Sequence, residues 1–170
     1  MINYIEKGVG LHDAFYQAGL QGVKTVNNAT FAVDVSEEQA LQAIINSYNP
    51  IPYSQKIAKA EIKEASAIKR LEYVTQAAGK DAEYVDKREE ARLYDIDQTV
   101  GDFMQGRINR TNESPSAIAA EWNSKAVSWK AAGVLIAALE DSASRDIDEQ
   151  TDWRQCDVIA KTAIRLIEAI

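Results

Sequence analysis

One cysteine, one histidine and three prolines are all that the 170 residues contain of those types. The lone Cys156 forbids an intrachain disulfide and leaves no thiol pair for a zinc site. It sits in a helical, largely apolar stretch, Cys156-Asp157-Val158-Ile159-Ala160, where a core-facing thiol is the expected reading. The lone His12 precedes Asp13, yet neighbours on a helix point in different directions and no Ser or Cys nucleophile is tied to it. His12 is therefore read as structural. Basic residues are also short, 19 against 26 acids, for a net charge of −7. The acidity is spread, with −3 in residues 1–50 and −4 in the remainder. Nucleic-acid binding needs a basic footprint, which this chain lacks. No apolar run approaches the ~20 residues of a membrane span. The first residues, Met1-Ile2-Asn3-Tyr4-Ile5-Glu6-Lys7, do not follow the charged-then-apolar plan of a signal peptide, so synthesis and folding in a cytoplasm are expected.

What is present is a folding composition, 46% apolar and 26% charged. At this length folding buries roughly 70% of the unfolded chain's surface, enough for a core. Two of the three prolines fall together in Tyr48-Asn49-Pro50-Ile51-Pro52, and the chain changes character there. Before it, Ile2-Asn3-Tyr4-Ile5 reads as a short strand and Leu11–Ala18 as a helix closed by Gly19. Val23–Val26, Asn27-Asn28 and Thr30–Asp34 have the form of a hairpin, and Ser36 is placed to cap a helix through Tyr48. After it, helices are expected over 54–78, 81–94, from Pro115 onward and over 147–170; the less regular stretch 95–112 is read as a turn or short helix that tucks Val100, Phe103, Met104 and Ile108 under the bundle. Ser114-Pro115 is a strong start signal, a capping serine followed by proline at the first helical position. The predicted class is α+β, predominantly α. A small α+β docking module at 1–49 meets a Pro-containing joint at 50–53 and an antiparallel, bundle-like helical body at 54–170.

Chemistry-bearing patterns fail on inspection. Gly8-x-Gly10 lacks the third glycine and the preceding buried strand of a dinucleotide loop. Asp95-x-Asp97-x-Thr99 opens like a calcium loop, but Val100 and Gly106 stand where that loop needs glycine and glutamate. The acidic run Asp146–Asp152 suits a solvated helix start. No catalytic set, cofactor site or metal site is assigned, and the chain is read as a non-enzyme. Candidate interface residues are Trp122 and Trp129, seven apart on one helix, with Tyr84 and Tyr94 as a second surface. The tryptophans serve either as core for the body or as anchors for a partner.

The segment Ile2–Ala14, with Gly8-Val9-Gly10-Leu11-His12, and the segment Ala43–Pro52, with Tyr48-Asn49-Pro50-Ile51-Pro52, resemble small proteins encoded in tail-fibre cassettes of tailed bacteriophages. Lys87-Arg88-Glu89-Glu90-Ala91-Arg92-Leu93-Tyr94, Ser114–Ile118, Lys125-Ala126-x-x-Trp129 and Ile136–Glu140 are similar to helical segments of phage tail-fibre proteins. The likeness extends over about two thirds of the chain. It departs at 95–112, where such segments carry a shorter, proline-containing loop. The resemblance implies no catalytic residues. It implies a virion structural protein of the tail or tail fibre, an adaptor that contacts other tail or fibre proteins and forms a homo-oligomer. The alternatives are a fibre-assembly chaperone absent from the particle and a phage-encoded effector that binds a host defence protein.

Overall fold

The computed structural model describes residues 2–3, 7–20, 23–27, 30–32, 37–73 and 80–170. Its elements are β1 (Ile2–Asn3), α1 (Leu11–Gln17), β2 (Lys24–Asn27), β3 (Thr30–Ala32), α2 (Glu38–Ser47), α3 (Ile51–Leu71), α4 (Lys80–Asp97), α5 (Asp102–Thr111), α6 (Pro115–Asp148) and α7 (Trp153–Glu168). The α+β class expected from the sequence is overturned: the protein is helical in class. Backbone pairing in the order β1-β3-β2 involves segments of two, three and four residues. Such lengths fall below the ~5–6 residues of an ordinary strand and build no layer for helices to pack on. The Ser36 cap and the Asn28 turn position lie outside the described residues.

The chain divides into two compact units, residues 1–64 with 140–166, and residues 65–139 with 167–170. The division falls inside α3 and α6 and near the end of α7, at places other than the joint expected at 50–53.

In the first unit, α1 and α2 enclose Leu11, Phe15, Val23, Leu41 and Ile45, with Leu20, Ile44 and Tyr48 at the margin. The Gly8–Gly10 loop lies tightly against the Tyr48–Tyr53 segment. A Cβ on Gly8 would come within 2.7 Å of Pro50 Cβ and 2.9 Å of the Trp153 ring, and one on Gly10 within 2.6 Å of the Tyr53 ring. Gly10 also holds φ at +83°, a left-handed conformation that side chains disfavour. The Tyr48 hydroxyl donates to the Val9 carbonyl, and Tyr53 Oη donates to Asp13 Oδ2 at 2.6 Å. The two prolines act as a helix start and not as a spacer. Asn49 Oδ1 accepts the Ile51 N–H at 3.0 Å, and α3 begins at Ile51, earlier than the Ser54 the sequence suggested. Proline is well placed there because the first helical N–H groups have no intrahelical acceptor. Further along α3, Gln55 Nε2 donates to the Ile147 carbonyl at 3.0 Å and Lys59 pairs with Asp148 at 2.5 Å. These contacts fix the end of α6. Ile147, expected to open the last helix, belongs to α6, and α7 starts at Trp153. The buried residues of α7 in this unit, Cys156, Ala160 and Ala163, keep spacings of four and three.

In the second unit, α4, α5 and the first turns of α6 pack bundle-like around Ala91, Met104, Ile118, Ala119 and Trp122, flanked by Tyr94 and Ile108. The stretch 95–112, read as a turn or short helix with apolar side chains tucked under the bundle, contains the ten-residue helix α5, with Met104 buried and Ile108 packed beside it. Gly106 lowers its local propensity, and tertiary contacts restore it. Gly101 opens α5, and Glu90 of α4 supplies the cap: its carboxylate accepts the N–H groups of Phe103 at 3.0 Å and Met104 at 2.8 Å. Asn112, at φ +59°, ends the helix. Ser114 Oγ then accepts the Ala117 N–H at 3.3 Å, and Pro115 is the first residue of α6. The end of α3 is held by Lys69 Nζ, which donates to the Glu168 carbonyl at 3.1 Å, and by Tyr73 Oη, which donates to the Ile170 carbonyl at 3.2 Å. A cation at these last carbonyls also suits the negative end of the α7 dipole. α3 ends at Leu71, short of the Ala78 expected.

Candidate interaction surface

On α4, Glu83 and Lys87 stand one turn apart and form an ion pair. The ammonium faces three aromatic rings, Tyr84 at 5.9 Å, Phe103 at 5.9 Å and Trp122 at 5.8 Å from the ring centroids. Each ring comes from a different helix, so the cage exists only when α4, α5 and α6 are packed together. The Glu90 cap sets the height of α5 and thereby carries Phe103 to Lys87. A cation facing ring faces is attracted by their quadrupoles, by about 0.5–1 kcal/mol each at exposed sites.

Beside the cage, Arg107 of α5 reaches two acids. It contacts Glu113 at 2.7 Å and Glu121 of α6 at 2.5 Å, and Glu121 also holds Lys125 at 2.5 Å. The hydrogen bonds from Arg107, then Lys125, pull the Glu121 carboxyl down to about 2. Glu113 is lowered chiefly by its bond from Arg107, and Arg107 is itself held above its ordinary value by the two acids. These groups stay fully charged across the neutral range. Their geometry fastens helices and gives no proton-transfer group poised near neutrality.

Of the four aromatic residues singled out in the sequence, the structure brings Tyr84 and Trp122 to the cage and sets Tyr94 against the same core. Trp129 stands apart. Trp122 is 8% exposed and Trp129 46%, so one stripe on α6 serves as core at its start and reaches solvent a heptad later. Lys87, Glu90 and Arg107 were not singled out, and Phe103 stood out only as part of the apolar group in 95–112. Glu83-x-x-x-Lys87 was a visible one-turn pair, whereas the reach of Glu90 and Arg107 to other helices left no local trace.

Past the cage, α6 runs from Ala131 to Leu139 without a charged residue. Val127, Trp129, Val134 and Leu135 are exposed along this part of the helix, at 68%, 46%, 61% and 55%. Elsewhere, His12 lines an open cleft of about 330 Å³ with Tyr16, Leu20 and Val23, and its ring lies 6.3 Å from that of Phe15. Asp13 is engaged by Tyr53. Cys156 is fully buried, and burial pushes its thiol up. Among the described residues no group of three or more His, Cys, Asp or Glu side chains is arranged to hold a metal ion, and no helix is long and apolar enough to cross a membrane. Compared with known proteins, the chain matches no family model, no curated protein and no solved structure.

Proposed function

We propose that this chain is a non-enzymatic protein-binding component of a bacteriophage tail or tail fibre, an adaptor that works through contacts of its helices. The observation that carries the binding part is the exposed apolar length of α6, with Val127, Trp129, Val134 and Leu135 in solvent and no charge between Lys130 and Glu140. Covering such side chains is worth about 1–2 kcal/mol each when they start half exposed or more. Tryptophan among them is the residue type most enriched at binding hot spots. The phage assignment is supported by the resemblance in the Gly8–His12 and Tyr48–Pro52 segments. Those two segments pack on one another through Gly10, Tyr48 and Tyr53. Mass spectrometry of purified particles of the encoding phage tests the proposal. Many copies per particle are expected, and absence from the particle would overturn a structural role.

A further inference from the structure

The aromatic cage is larger than the ammonium it holds. Lys87 Nζ lies between 5.8 and 5.9 Å from the ring centroids of Tyr84, Phe103 and Trp122, nearly equidistant from all three. A methyl group extends about 1.5 Å from its nitrogen and touches a ring carbon at about 3.5–4.0 Å, so a methylated ammonium seats about 5–5.5 Å from each ring. The bare ammonium of Lys87 therefore leaves a gap at every wall, of a kind that methyl groups fill. Hydration points the same way. A primary ammonium is compact and strongly hydrated, whereas a quaternary one meets ring faces with apolar carbon and is the cation that aromatic cages recognise.

The walls reach the surface. Tyr84 and Phe103 are 40% and 38% exposed, while Trp122, at 8%, lies deepest. The side chains of Lys87 and Glu83 each keep 25% of their surface in solvent, so an external cation has a way in without the unfolding of a helix. Lys87 hangs on a flexible four-carbon stem that turns readily toward water. When it does, Glu83 is left to balance the charge of whatever cation takes its place. Glu83, Tyr84, Lys87, Phe103 and Trp122 all belong to the second compact unit.

The geometry points to a site for a quaternary ammonium group between Tyr84, Phe103 and Trp122, one that Lys87 occupies until the ligand displaces it. Lys87 is thus a built-in competitor. It joins the three helices in the unliganded protein and lowers the apparent affinity for the ligand by the fraction of time it stays in place. The site is separate from the exposed length of α6 and does not depend on the tail assignment.

Thermal unfolding of the full chain in tetramethylammonium chloride, against sodium chloride of equal ionic strength, tests it. Lys87→Ala empties the cage, and its unfolding temperature should rise with tetramethylammonium concentration as ligand binding requires. The wild type, in which Lys87 competes, should bind about tenfold more weakly or worse. Lys87→Met fills the cage with an uncharged chain and should show no rise. Absence of a rise for Lys87→Ala, a variant that stays unfolded at every concentration included, would overturn the site, and so would an equal rise for Lys87→Met. Equal binding by the wild type would overturn the occupation by Lys87. Adding Phe103→Leu to Lys87→Ala should weaken binding about tenfold, through the loss of one ring face; unchanged binding would place the cation elsewhere and overturn the cage. Choline chloride and phosphatidylcholine vesicles, offered to Lys87→Ala, separate a dissolved ligand from a lipid headgroup, and binding of neither would overturn the site.

Discussion

Gly101→Ala should unfasten α5 from α4, although the backbone at Gly101 (φ −85°, ψ 177°) is one that alanine adopts readily. The obstacle is steric. A Cβ at this position would come within 2.6 Å of Glu90 Oε1, so the methyl and the capping carboxylate cannot occupy their places together. Displacing the carboxylate releases the N–H groups of Phe103 and Met104. Loss of a helix cap costs about 1–2 kcal/mol, which in a chain of this size lowers the unfolding temperature by about 2–8 °C. Glu90→Ala removes the same two hydrogen bonds directly and should cost about as much. The decisive measurement is the double-mutant cycle. Once Glu90 is alanine, adding Gly101→Ala should cost only about half a kcal/mol, the ordinary penalty of alanine against glycine at an N-cap. Hydrogen exchange at the Phe103 and Met104 amides should accelerate in both single variants, while the Ala117 amide under Ser114 should not change. Additive destabilisation, or unaltered exchange at those two amides, would refute the argument.

Three further outcomes follow from the structure. The Glu121 carboxyl is depressed from 4.5 to about 2 by Arg107 and Lys125, so its stabilising contribution is fully present above pH 4.5 and is lost as the pH falls through about 2; Glu121→Gln should flatten that part of the acid-unfolding curve, and a variant curve of unchanged slope would count against the ion cluster. Gly10→Ala, measured by urea unfolding, should destabilise the protein by more than the ~1–2 kcal/mol of a left-handed backbone, because the Tyr53 ring leaves no room, whereas Gly19→Ala, at φ +80° with open space around it, should cost the backbone part alone. The buried Cys156 thiol, pushed up by burial, should resist an aromatic disulfide reagent in the native protein and react fully in urea; fast native labelling would contradict its place in the core.

The sequence was informative where the signal is local. Ser114-Pro115 marked the start of α6, and Gly19 marked the left-handed residue just beyond α1. It misled where a residue has two uses. Pro50 and Pro52 were read correctly as ending α2, which stops at Ser47, but not as starting α3, which Asn49 caps and which contains Pro52 in its first turn. The fold class was misjudged because β-rich runs near the N-terminus were given the weight of a layer, while the pairing segments are too short to form one. α5 was legible only as a turn or short helix, because its cap comes from Glu90, thirteen residues before Phe103 on another helix. The aromatic residues Tyr84 and Trp122 could be singled out by type, but nothing in their spacing foretold that Lys87 would bring them together. The seven-residue interval between Trp122 and Trp129 correctly put both on one side of α6. It could not say that the first would be buried and the second left 46% exposed.

The first compact unit joins residues 1–64 to residues 140–166, with residues 65–139 between them in the sequence. That arrangement has a consequence for synthesis. The Gly8–Gly10 loop can settle on Tyr48 and Tyr53 early, after some fifty residues have emerged, but its contact with Trp153 must wait until the whole inserted segment has left the ribosome. Closing so long a loop is slow relative to forming local helices. The core around Leu11, Phe15 and Ile45 and the core around Ala91, Met104 and Ile118 all precede Trp153 in the sequence, so both can form before that contact is made. The side of the Gly8 loop that faces Trp153 should therefore stay open to water until the C-terminal part of the chain has been made.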